Sequence, residues 1–119
     1  MVKSNDKYNV QDNRLNIGDR EIVFDDVIKD VLEISDMLIL LMLRPDGVFH
    51  NENVFGISLT EKKIRWQIAK LKYGSEDYCP FVGIKFYDNQ LYLNNWCGIY
   101  LIVDPQTGQI LERSLPARS

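Results

Sequence analysis

Seven consecutive apolar residues, MLILLML from Met37 to Leu43, restrict this chain more than any other stretch. Successive side chains of a β-strand point to opposite faces of its sheet, so a strand built from this run has no face to offer to water. It needs cover on both sides, as in sheets sandwiched between other layers. Apolar residues from Val27 to Leu43 also fit helical spacing, and that reading stays open as the alternative. The turn-forming pair Ser35-Asp36 divides the segment, however, and favours two strands, VLEI and MLILLML.

The same rhythm of short alternating runs and turns continues along the chain. RLNI and REIVF flank Gly18-Asp19, a pair suited to a two-residue type II′ hairpin. VFGISL and IRWQI flank TEKK, and FVGIKFY, QLYLNN, GIYLIV and QILERSL are separated by Asp88-Asn89, Cys97-Gly98 and DPQTG. The expectation is an all-β fold, an antiparallel meander of about eight to ten strands. With 119 residues, one domain is expected. Its expected parts are a poorly ordered segment 1–11, an N-terminal hairpin 13–24, a first four-strand unit 27–68 and a second unit 81–115.

Register sharpens the packing problem. A two-residue loop at Asp88-Asn89 sets Tyr87 opposite Gln90, Phe86 opposite Leu91 and Ile84 opposite Leu93, which makes one face apolar on both strands. A tight turn at Cys97-Gly98 then sets Ile99 opposite Trp96 and Leu101 opposite Asn94, loading the second face as well. Extended to the cysteines, the same register sets Cys79 opposite Gly98 and Cys97 opposite Pro80, on different faces. Such a pair cannot be bridged, so free thiols are expected.

The two four-strand units also look like copies. Phe55 aligns with Tyr100 and Ile57 with Ile102, and Leu38 aligns with Leu91 and Leu40 with Leu93. Four strands per unit at such spacing is the arithmetic of propeller repeats. NVFGISLTEKKIRWQI and GIYLIVDPQTGQILER each resemble half a blade of quinoprotein-like and WD-like β-propellers, in which an Asp-x-x-Thr-Gly turn precedes the last strand. The Asn-Val-Phe, Trp-Gln-Ile, Asn-Trp-x-Gly and Asp-Pro-x-Thr-Gly elements further resemble small stand-alone bacterial proteins of unknown role, among them candidate immunity proteins. Two blade-like units can each cover one face of the other, packed as a sandwich or closed into a barrel, and the remaining faces are left to the N-terminal hairpin, to barrel closure or to another protein chain. The resemblance carries over no quinone-binding residues.

Sites of chemistry are sparse in the sequence. His50 is the single histidine and lies in a loop without an evident partner, so no catalytic residue is assigned. Cys79 and Cys97 lack metal-ligand spacing, and the acidic residues Asp25, Asp26, Asp30 and Glu33 lack the alternation of a calcium loop, so neither a metal nor another cofactor is expected. The basic residues Lys62, Lys63, Arg65, Lys70 and Lys72 read as a turn and a charged edge strand. The formal net charge of -3 is spread along the chain, which argues against nucleic acid as a partner. No run reaches the ~18 apolar residues of a membrane span and the polar start lacks a signal sequence, so no membrane partner and a cytoplasmic setting are expected.

Two functions remain at this level. The first is a non-enzymatic protein-interaction module, such as an immunity or inhibitor protein or a homo-oligomer, using a surface around Tyr92, Asn94 and Trp96. Aromatic residues of this kind anchor protein interfaces. The alternative is a small-molecule-binding β-barrel with a cavity at its centre.

Overall fold

A computed structural model describes residues 2–4, 6–44, 46, 52–68 and 80–114. These residues form antiparallel strands arranged in three four-stranded sheets. The first sheet runs in chain order through β1 (Val2–Ser4), β2 (Asn9–Gln11), β3 (Arg14–Ile17) and β4 (Arg20–Val23). The second follows through β5 (Val27–Ile34), β6 (Met37–Leu43), β7 (Val54–Ser58) and β8 (Lys63–Gln67). The third comprises β9 (Phe81–Tyr87), β10 (Gln90–Asn95), β11 (Tyr100–Val103) and β12 (Ile110–Arg113). The stretch 27–43 is thus two strands, without a helix. Residues 13–24 form half of a sheet whose other half is β1 and β2, so the first eleven residues, expected to be poorly ordered, supply two strands.

The turns are set by residues that tolerate positive φ. Asp88 and Asn89 have φ of 51° and 64°, the type I′ pattern that matches the twist of the flanking strands, and Gln90 pairs with Tyr87 as the sequence implies. Gly18 (φ 61°) and Ser35 (φ 53°) open equally short loops between Ile17 and Arg20 and between Ile34 and Met37.

β6 lies at the heart of the stack. Met37, Ile39 and Leu41 enter one core with Val54, Trp66, Leu91, Leu93, Leu101 and Val103, between the second and third sheets. Leu38, Leu40 and Met42 enter the other core with Val10, Leu15, Ile17, Ile28 and Ile57, between the first and second sheets. The order is therefore first sheet, second sheet, third sheet, with β6 buried on both sides. Each sheet ends in two edge strands, so the described strands close no barrel, and the expected two-unit sandwich is instead a stack of three layers. The first sheet covers the face that two units alone leave bare.

Polar groups pin these layers together. Asn53 is buried; its Nδ2 donates to the carbonyls of Met42 (3.2 Å) and Phe81 (2.7 Å), and its Oδ1 accepts from the Phe81 amide (3.1 Å). One side chain thus acts as a piece of backbone, tying the second sheet to the third. The Ile28 amide donates to the Asp12 carbonyl at 2.8 Å, which ties the first sheet to the second. Trp66 donates from Nε1 to the Pro105 carbonyl at 2.8 Å, across to the turn between β11 and β12.

That turn is DPQTG, residues 104–108. The Asp104 carbonyl accepts from the Gly108 amide (2.8 Å), the Asp104 side chain accepts from the Gln106 amide (2.9 Å), and Gly108 has φ 77°. A Cβ at Gly108 would lie 2.7 Å from the Trp66 ring, so the glycine serves both backbone and packing. Gly108→Ala should cost about 2–4 kcal/mol in urea melts, from the left-handed backbone and the collision together. Gly83→Ala is the control: its Cβ would meet Asn94 at an ordinary 3.7 Å, and its cost should stay within about 1 kcal/mol.

Candidate functional site

The two outermost faces of the stack differ in chemistry. Pairing of β2, β3 and β4 sets Val10, Leu15 and Ile22 toward the core and Asn9, Gln11, Arg14, Asn16, Glu21 and Val23 outward. Apart from Val23, these outward residues of β2, β3 and β4 are polar. In the third sheet, Ile84, Leu91, Leu93, Leu101 and Val103 face the core. Their partners in alternation, Lys85, Tyr87, Tyr92, Asn94, Tyr100 and Ile102, turn outward.

The outward residues touch one another. Tyr92 and Tyr100 rings lie 5.5 Å apart, tilted by 56°. Lys85 Nζ stands 5.4 Å from the Tyr87 ring and 5.9 Å from the Tyr92 ring, within cation–π range. The Tyr92 hydroxyl donates to Gln90 Oε1 at 3.1 Å. Tyr92 is half-buried, Asn94 is exposed, and Ile102 is buried beside them.

Trp96 sits one residue beyond β10 and is 68% exposed. Of the three residues singled out in the sequence, Tyr92 and Asn94 share the outer face, and Trp96 stands in the loop at its end. Lys85, Tyr87, Tyr100 and Ile102 complete the surface. The sequence register across Asp88-Asn89 already sets Lys85 on the face of Tyr92 and Asn94, whereas Tyr100 and Ile102 escape it because it takes the β10–β11 turn as one residue too short. Asn95 is the cause: its amide donates to the Ile99 carbonyl at 3.0 Å, and its Oδ1 accepts from the Cys97 amide at 2.9 Å. Trp96, Cys97 and Gly98 (φ 84°) form a three-residue loop, the kind that places glycine in a left-handed position. Asn94 therefore pairs with Tyr100 and Leu93 with Leu101, so Ile99 does not face Trp96 and Leu101 belongs to the core. The alignment of Phe55 with Tyr100 shifts for the same reason: Phe55 pairs with Leu40, whereas the corresponding Leu93 pairs with Leu101.

The free-thiol expectation is also overturned, because Cys97 is disulfide-bonded. Cys79 lies outside the described residues. The parity argument fails at a bulge: Asn94 pairs with Gly83 but Asn95 with Phe81, and the Trp96 amide donates to the Pro80 carbonyl at 2.8 Å. One extra residue on β9 reverses every facing beyond it.

The other candidates separate. Asp30 accepts from the Val31 amide (2.8 Å) and Glu33 pairs with Lys7 (2.6 Å), while Asp25 and Asp26 line a cavity of about 280 Å³ with Phe24, Glu52, Phe55 and Gln67. Among the described residues, no three His, Cys, Asp or Glu are grouped to hold a metal. The Glu33 hydrogen bond and charge raise the pKa of Lys7, and burial raises that of Tyr8; both lie in the connection between β1 and β2, away from the third sheet. Lys63 and Arg65 are exposed on edge strand β8, whereas Lys70, Lys72 and His50 lie outside the described residues. No described helix is long and apolar enough to cross a membrane.

A family model described as Domain of unknown function (DUF7957) matches residues 5–115. No curated protein and no solved structure matches the chain.

Intact-mass measurement after alkylation in denaturant without reductant should find Cys97 unlabelled, and labelled once reductant is added. Labelling before reduction would mean a free thiol.

Proposed function

We propose, for a chain that belongs to the DUF7957 family of domains of unknown function, a non-enzymatic role as a protein-interaction module that binds another polypeptide through the outer face of its third sheet. The observation that carries this is the contrast between the two ends of the stack. Stacked-layer proteins stay soluble by giving their terminal layers polar outer faces. The first sheet follows that rule with Asn9, Gln11, Arg14, Asn16 and Glu21, whereas the third presents Tyr87, Tyr92 and Tyr100. Tyrosine and tryptophan bury large areas at little entropic cost and anchor interfaces. In this reading the three sheets are blade-like layers of an arc that does not close into a ring. The third is the layer at which a partner continues the stack. An immunity or inhibitor protein is the biological role that the sequence resemblance attaches to such a module.

A photo-cross-linking amino acid placed at Asn94 should form adducts with a second polypeptide in the producing cells, while the same probe at Asn16, on the polar end, should form none. Equal labelling from both positions would sink the proposal. Trp96→Asp should reduce the Asn94 adducts and leave the denaturation midpoint nearly unchanged. A loss of about 3 kcal/mol or more would instead make Trp96 a core residue.

A further inference from the structure

Strand pairing places four residues in one row across the outer face of the third sheet: Lys85 on β9 opposite Tyr92 on β10, Tyr92 opposite Ile102 on β11, and Ile102 opposite Glu112 on β12. The row begins with an ammonium, ends with a carboxylate and carries an aromatic and an aliphatic side chain between them. We infer that the polypeptide this face binds is a second copy of the same chain, docked through a two-fold axis that lies in the interface and runs along the strands between β10 and β11. The inference rests on reading this face as an interaction surface.

The order of the row selects both occupant and axis. Rotation by half a turn about a line parallel to the strands reverses the row left to right and keeps its height. Each Lys85 then faces the other copy's Glu112, and each Tyr92 faces the other copy's Ile102. Two ion pairs flank a centre formed by the half-buried Tyr92 of each copy beside an Ile102 that its own chain already buries, as an isologous interface demands when the same patch serves both subunits. An axis along the row instead sets Lys85 against Lys85 and Glu112 against Glu112, and like charges in juxtaposition are strongly disfavoured. Strands of the two facing sheets then run nearly parallel to one another, the aligned arrangement of packed sheets. Assembly ends at two copies, because the far end of each stack is the polar face of the first sheet.

Charge reversal tests this directly, since Lys85 and Glu112 are both exposed. Sedimentation should find wild-type dimers in the micromolar range. Lys85→Glu alone and Glu112→Lys alone should each weaken dimerisation by at least about tenfold, and the double variant should recover most of the loss, because only the double restores opposite charges across the axis. Denaturation midpoints of all three variants should match the wild type. A wild-type chain that stays monomeric at high micromolar concentration would overturn the inference. In that case, Asn94 adducts with a different polypeptide would leave the interaction-module reading standing, and an absence of adducts would remove both. A dimer whose stability ignores both reversals would overturn the axis and the face.

Discussion

Burial of both faces of β6 is the constraint on which the rest of the structure depends. A strand of seven apolar residues exposes none of them at acceptable cost, because each leucine or isoleucine left in water forfeits roughly 2 kcal/mol of transfer free energy. The odd positions of β6 need a third sheet and the even positions need a first, so the run in the middle of the chain dictates three layers. The meander follows naturally: within a sheet each strand hydrogen-bonds to its sequence neighbour, mostly through a two- to four-residue turn and with longer connections only at β6–β7 and β11–β12, and a new sheet begins where the hydrogen-bonded ladder stops.

Polar residues then hold the layers in one arrangement. Apolar faces slide over one another with little preference, whereas Asn53 satisfies three hydrogen bonds only when Met42 and Phe81 stand in one relation. Trp66 does the same at the opposite edge, filling the space left by Gly56 and Gly108 and reaching the Pro105 carbonyl. Loss of either contact leaves a buried donor or acceptor without a partner, which costs more than the hydrogen bond itself contributes. The Asp-Pro-x-Thr-Gly turn is thus more than a hairpin end. Its glycine is the surface on which the neighbouring sheet's tryptophan packs.

The proposed interaction surface is the outer face of the third sheet. The sheet presents Tyr92, Tyr100, Asn94 and Lys85 from adjacent strands, so the spacing of these positions is fixed by backbone pairing. The aromatic rings and the ammonium above them support one another in the free protein. Such a surface is prepared for contact before a partner arrives.

Sequence alone determined the all-β class, the positions of most turns and the Phe86–Leu91 and Ile84–Leu93 pairs, because alternation and residues such as Asp88-Asn89 act over a few neighbouring positions. It also marked Met37 to Leu43 as covered on both sides and Tyr92, Asn94 and Trp96 as a surface to watch. Which of the covers open to the sequence lies on β6 was decided only in three dimensions: β2 and β3, strands of the N-terminal sheet, supply one layer through Val10, Leu15 and Ile17, residues too ordinary in sequence to choose that cover over barrel closure or another chain. The outward facing of Tyr100 and Ile102 likewise depended on Asn95 lengthening its loop by one residue, and the facing of Cys97 on a bulge at Asn94 and Asn95. A single inserted residue reverses the facing of every side chain beyond it. Such an insertion is set by side-chain hydrogen bonds and close packing between distant segments, which no local pattern of polarity records.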